Sequence, residues 1–236
     1  MPRQPSLRPV GRLPDPPTAV VLILHGGRSQ GHGRAHRFRL AYRRMVPFAR
    51  RLAAGGGDRG LAVFTVHYRY RGWNGADMDA KQDTLWALDE SARRHPGTPV
   101  VLVGHSMGGR AALHAAGHPA VRAVCALAPW LDGTDPVEQL AGRTVLIAHG
   151  DRERMTDPGE SYAFALRAKQ VTDRVCRFDV LGDGHAMLRR ARDWHALVCR
   201  FVLAEAGIEP PDPEITNALR QPAPTGLRAA LAGAQR

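Results

Sequence analysis

A mostly parallel, doubly wound α/β sheet with helices on both faces is the fold this sequence predicts, and two observations predict it. Six short apolar runs, each suited to a strand buried on both faces, recur between residues 18 and 181. Stretches of helical period separate most of them, which makes successive strands parallel and crossover-linked. A chain of 236 residues can form such a sheet as one unit.

In chain order the strand runs are TAVVLILHGG, GLAVFTVHYR, TPVVLVGH, VRAVCALAP, RTVLIAHG and DRVCRFDVLG. Helical period over 42–54, 80–94, 107–116 and 161–169 predicts the covering helices, with a last one over 188–206. Asp157 before Pro158 reads as the cap of the fourth helix. One link departs from the alternation: PWLDGTDPVEQLAGR, between the fourth and fifth strands, is too short for an added domain, so any lid there is minimal.

The organisation predicted is one domain over 18–208 between two appendages. Residues 1–17 form a Pro/Arg-rich extension, with prolines at 2, 5, 9, 14, 16 and 17 and no apolar segment of a signal peptide. Residues 209–236, containing EPPDPE and QPAPTG, read as a flexible Pro-rich tail in which Leu219 and 227–231 dock weakly.

Composition narrows the function classes. No apolar run approaches the roughly 20 residues of a membrane helix, so the protein is expected to be soluble, with no membrane role. Cys125, Cys176 and Cys199 are odd in number and widely spaced, which fits reduced thiols in a cytoplasmic protein better than a disulfide framework or a metal site. The net charge of +11 would draw anions, yet the arginines are scattered, Lys81 and Lys169 are the only lysines, and no basic block marks a nucleic-acid partner. His32 and His36 have the spacing of two metal ligands but lack a third, so no metal and no organic cofactor are expected. Nothing in the sequence reports the oligomeric state.

Chemistry is concentrated in VVLVGHSMGGRAAL. A β-branched run enters Gly104-His105-Ser106-Met107-Gly108 and leaves as an Ala/Leu-rich helix, the context of a nucleophile elbow. The turn forces the serine into an unfavourable backbone conformation, so the residues two before and two after it must be small. At the helix start the Ser106 side chain lies beside free N–H groups and the positive end of the dipole, with the Met107 amide as first oxyanion donor. The first strong strand ends in His25-Gly26-Gly27, and Gly27 is the candidate second donor, with Arg28 after it.

With the elbow and this loop the chain resembles the α/β-hydrolase superfamily over roughly residues 18–206, in particular small cap-less serine esterases and the dienelactone-hydrolase-like and serine-aminopeptidase-like branches. The resemblance implies an α/β-hydrolase fold and a triad in chain order serine, acid, histidine. It places the histidine after the last strand, where VLGDGHAMLRRARDW supplies His185, and the acid after the strand before, where TVLIAHGDRERMTDP supplies Glu153 or Asp151. Glutamate in place of aspartate departs from the family's usual pattern, though either carboxylate can orient an imidazole.

The expected activity is hydrolysis of a carboxylic ester on a small or medium-sized substrate through an acyl-enzyme, with Ser106 as nucleophile and His185 as base. A thioesterase or small peptidase needs the same residues, and a hydrolase-like binding protein keeps them without turnover. Trp130, after the strand ending CALAP, either lines the acyl pocket or packs in the core. The arginines of 28–44, beginning with Arg28, either recognise a carboxylate or phosphate on the substrate or form a cationic flap.

Overall fold

The structure, a computed structural model, describes residues 3–36, 38–231 and 233. Along the first half of the chain run β1 (Ser6–Pro9), β2 (Ala19–Leu24), α1 (Leu40–Gly56), β3 (Leu61–His67), α2 (Asp79–Arg94), β4 (Val100–His105) and α3 (Met107–His114). The second half supplies β5 (Val121–Leu127), β6 (Thr144–Gly150), α4 (Pro158–Ala168), β7 (Val175–Val180), α5 (Ala191–Glu205), α6 (Pro213–Arg220) and β8 (Ala229–Ala230). The strands form one sheet in the order β1-β3-β2-β4-β5-β6-β7-β8, parallel throughout except where β1 pairs with β3.

Strand alternation divides the core into two layers. On β2, Val20, Leu22 and Leu24 face the side where Leu88 of α2, Ala111 of α3 and Phe164 of α4 pack. Val21 and Ile23 face the other side, against Phe48 and Leu52 of α1 and Trp194 and Phe201 of α5. With both faces covered, the continuous apolar runs of the central strands are fully buried.

The two ends correct the expectation of appendages. Ser6–Pro9 is an antiparallel edge strand, with Ser6 opposite His67 and Pro9 opposite Phe64. In the tail, Asp212 caps α6 by accepting from the Ile215 N–H at 3.0 Å, and Ile215, Ala218, Leu227 and Leu231 are buried. The chain then adds β8 parallel to β7. A four-residue and a two-residue strand are too short to show periodicity, and proline is tolerated on an edge strand such as β1. Residues 1 and 2 of the expected extension, and 232 and 234–236 of the expected tail, lie outside the described residues.

The β5-to-β6 link is short, as expected, and is fixed by charge. Asp135, with its side chain fully buried, accepts from Arg110 Nε at 2.6 Å and lies 2.6 Å from His114 Nε2, both on α3. Arg110 also sits in the corner between the perpendicular rings of Trp73 and Trp130, 4.8 and 4.7 Å from their centroids. Removing the carboxylate leaves the buried Arg110 guanidinium with only the half-exposed Asp132, 2.6 Å from its second terminal nitrogen, and takes the acceptor from His114, so Asp135→Ala is expected to destabilise the fold by about 1–3 kcal/mol. Urea unfolding measures this, and a loss below about 1 kcal/mol would show that the clamp is not structural.

Candidate active site

The strand-to-helix turn between β4 and α3 holds Ser106 at φ 56°, ψ −120°, a conformation costing on the order of 1–3 kcal/mol for a non-glycine residue. Backbone hydrogen bonds fix it: the Ser106 N–H donates to Leu127 at 3.0 Å, and its carbonyl accepts from Arg110 at 3.1 Å and Trp130 at 3.2 Å. A Cβ on Gly104 would collide with the Gly108 carbonyl, and one on Gly108 would stand 2.5 Å from the Leu24 carbonyl oxygen. Only glycine at both positions lets strand, turn and helix approach this closely.

The loop after β2 closes over the turn. A Cβ on Gly26 would lie 3.3 Å from Ser106 Cβ, and one on Gly27 would meet the Arg71 carbonyl oxygen at 2.5 Å. Among the described residues, no carbonyl or side chain accepts from the N–H of Met107 or of Gly27. On the Gly27 side of this turn lies a cleft of about 430 Å³ lined by Gly26, Gly27, Arg28, Phe38, Leu40 and Tyr42, with others; Ser106, Met107 and His185 are not among its lining residues. Arg28 is held by its backbone, which donates to the Arg71 carbonyl and accepts from the Trp73 N–H, both at 2.9 Å.

Two further loops, after β6 and β7, carry Asp151, Glu153 and His185 and are knitted together. The Arg152 N–H donates to the Asp183 carbonyl at 3.0 Å, and the Gly182 N–H donates to Asp151 Oδ1 at 2.6 Å. His185 Nδ1 donates to Glu153 Oε2 at 2.8 Å, the Glu153 side chain being fully buried and the His185 side chain 13% exposed. The other carboxylate oxygen accepts from the N–H groups of Arg154 and Met155, both at 2.7 Å. Of the two candidate acids, the structure brings Glu153 to the histidine, while Asp151 is spent on the turn at Gly182. Trp130, half-buried, sets its ring against the Arg110 guanidinium. Away from this cleft, His32, Asp77 and Asp79 present ligand atoms within 4.8 Å of one another, but Asp79 is already bound by Arg69 and Asn74.

The sequence profile of the Alpha/beta hydrolase family matches residues 20–234, nearly the whole chain. The chain belongs to the alpha/beta hydrolase family. Solved structures share this fold at low identity. Est1E from Butyrivibrio proteoclasticus, solved with ferulic acid bound, is 18% identical with a TM-score of 0.64, covering 86% of this chain and 96% of that one. Esterase Pf2001 of Pyrococcus furiosus is 14% identical with a TM-score of 0.61, covering 85% and 90%. A thioesterase domain from the curacin biosynthetic pathway is 16% identical with a TM-score of 0.53, covering 83% and 95%. No curated protein matches the chain in sequence. Among the described residues, no helix of this alpha/beta hydrolase is long and apolar enough to cross a membrane.

Three residues that the sequence did not single out set the histidine loop of this family member. His105 Nε2 donates to the His185 carbonyl at 3.0 Å, and its ring stands 4.6 Å from the His185 ring. Burial lowers the His105 pKa, keeping the imidazole neutral beside the second ring. Arg44 of α1 donates to the same carbonyl at 3.2 Å. Asp183, buried, accepts from Gly184 N, Arg190 N and Trp194 Nε1, bending the chain around His185.

Burial raises the pKa of Glu153, but hydrogen bonds from His185, Met155 and Arg154, with the His185 charge, outweigh it and hold the carboxyl at about 2 against an ordinary 4.5. A depressed folded-state value stabilises the fold fully above pH 4.5, and that stability is lost as pH falls through about 2. The wild type is therefore expected to exceed Glu153→Gln in urea midpoint near neutral pH, the gap closing as pH falls toward about 2. A gap that stays constant across this range contradicts the assignment.

Proposed function

We propose that this hydrolase-family chain cleaves a carboxylic ester of a small or medium-sized substrate through an acyl-enzyme. The observation that carries the reading is the hydrogen bond from His185 Nδ1 to a buried Glu153 carboxylate, in a chain whose Ser106 is held at positive φ in a strand-to-helix turn. A proton fixed on Nδ1 leaves Nε2 unprotonated and able to act as base.

In this reading Nε2 takes the Ser106 proton as Oγ attacks the ester carbonyl carbon. The Met107 and Gly27 N–H groups stabilise the oxyanion, and Glu153 stabilises the imidazolium. The imidazolium returns the proton to the departing alkoxide, leaving the acyl-serine. Water then attacks by the same proton relay, releasing the carboxylic acid and restoring Ser106. The cleft of about 430 Å³ beside Gly27 is of a size to take a modest acyl or alcohol group. The free thiols, two of them buried, fit a reducing, cytoplasmic setting.

The test is hydrolysis of p-nitrophenyl esters of increasing acyl length beside matched thioesters and peptide p-nitroanilides. Ester turnover with an optimum at short to medium chains is expected. Turnover confined to thioesters or anilides would replace the ester reading, and turnover of none would leave a binding protein.

A further inference from the structure

A second cavity, of about 460 Å³, lies beside the cleft, and its wall carries Arg3, Arg8, Arg34 and Arg69 together with Ser6 and His36. No acidic residue lines it. The edge strand β1 builds one side, since Ser6 and Arg8 are two apart and project to the same face of the sheet. The loop after β2 builds another, tied down where Arg34 bridges Tyr70. Arg69 is braced from behind by Asp83 at 2.5 Å and Asp79 at 3.0 Å. Arg3 is positioned by its bond to the His32 carbonyl at 2.7 Å and by the Tyr70 ring beneath its guanidinium.

The charges are not balanced within the protein. Buried carboxylates answer Arg69, but among the described residues none pairs with Arg3, Arg8 or Arg34. Three guanidinium groups converging on a concavity repel one another and form a field focused on that space. Their planar forks match the oxygens of a carboxylate or a phosphate. The cavity also adjoins the cleft: Ala35, His36 and Phe38 line both. A substrate reacting beside Gly27 has only to pass over the exposed His36 and Phe38 to set its far end among the arginines.

We propose that this cavity is a specificity subsite for an anionic group, a carboxylate or phosphate, at the end of the substrate remote from the scissile ester. The proposal rests on the ester-cleaving reading above and narrows its substrate class to esters with a terminal anion. It also gives the N-terminal strand a part in recognition, because β1 supplies Arg8.

The full-length protein is assayed at low salt with p-nitrophenyl octanoate, its ω-carboxylate and its ω-phosphate, which differ only at the far end. One charge-assisted hydrogen bond corresponds to roughly tenfold in affinity, so kcat/KM for at least one anionic ester is expected to exceed that for the neutral one by about tenfold or more. Which anionic ester is preferred identifies the group. In Arg8→Gln/Arg34→Gln the ratio of anionic to neutral kcat/KM is expected to fall toward one, and in the double lysine variant to recover in part. Both arginines are exposed, and circular dichroism checks their folding. In parallel, inorganic phosphate is titrated calorimetrically into Ser106→Ala, with saturable binding expected that weakens on removing Arg8 and Arg34.

A ratio near one in a wild type that hydrolyses the neutral ester overturns the subsite and leaves the ester reading standing. If no ester is hydrolysed, the ester reading fails and the titration decides: saturable, arginine-dependent phosphate binding retains an anion site, and its absence removes that too.

Discussion

Ser106→Ala is expected to lower kcat/KM for the preferred p-nitrophenyl ester by on the order of 10⁴- to 10⁶-fold, with an unchanged circular dichroism spectrum. The loss is large because the hydroxyl supplies the electron pair for the new bond, and neither the His185–Glu153 pair nor the amides of Met107 and Gly27 can replace it. The fold is expected to survive because the hydrogen bonds that hold the turn come from the Ser106 backbone, to Leu127, Arg110 and Trp130. Activity within about tenfold of wild type would show that hydrolysis proceeds by another nucleophile.

The second large effect separates the two acids. Glu153→Gln is expected to lower kcat by about 10³- to 10⁴-fold, whereas Asp151→Asn is expected to change it by less than about threefold. An amide at 153 can donate to Nδ1, which draws the neutral imidazole into the tautomer protonated on Nε2, unable to accept the serine proton. It also removes the negative charge that stabilises the imidazolium. Asp151 makes its bond to the Gly182 N–H instead, and an asparagine oxygen can accept that bond equally well. The reverse order of effects would assign the acid to Asp151.

What could be read from the sequence was what is local in the chain. The six central strands were legible because burial on both faces demands uninterrupted apolar runs, and the elbow because strand, turn and helix are consecutive at Val100–His105 and Met107–His114. Asp157 as a helix cap was legible for the same reason, and it accepts from the Gly159 N–H at 2.7 Å.

What could not be read depends on residues far apart in the chain. Glu153 and Asp151 differ by two positions on one loop, and only the packing of that loop on 181–184 decides which carboxylate meets His185. The Arg110–Asp135–His114 clamp joins a helix to a loop more than twenty residues away. The edge strands escape notice because β1 and β8 have four and two residues and take their order from a neighbour. The arginine-lined cavity joins β1, the loop after β2 and the end of β3, so its charges appear in sequence as scattered cations.

The central claim is that Ser106 is an activated nucleophile, and the most direct measurement is intact-mass analysis after treatment with a fluorophosphonate, followed by peptide mapping. One phosphonyl adduct, located on Ser106, absent from Ser106→Ala and slowed strongly in Glu153→Gln, is the predicted result. A folded wild-type protein that forms no adduct, or carries it on another residue, contradicts the account.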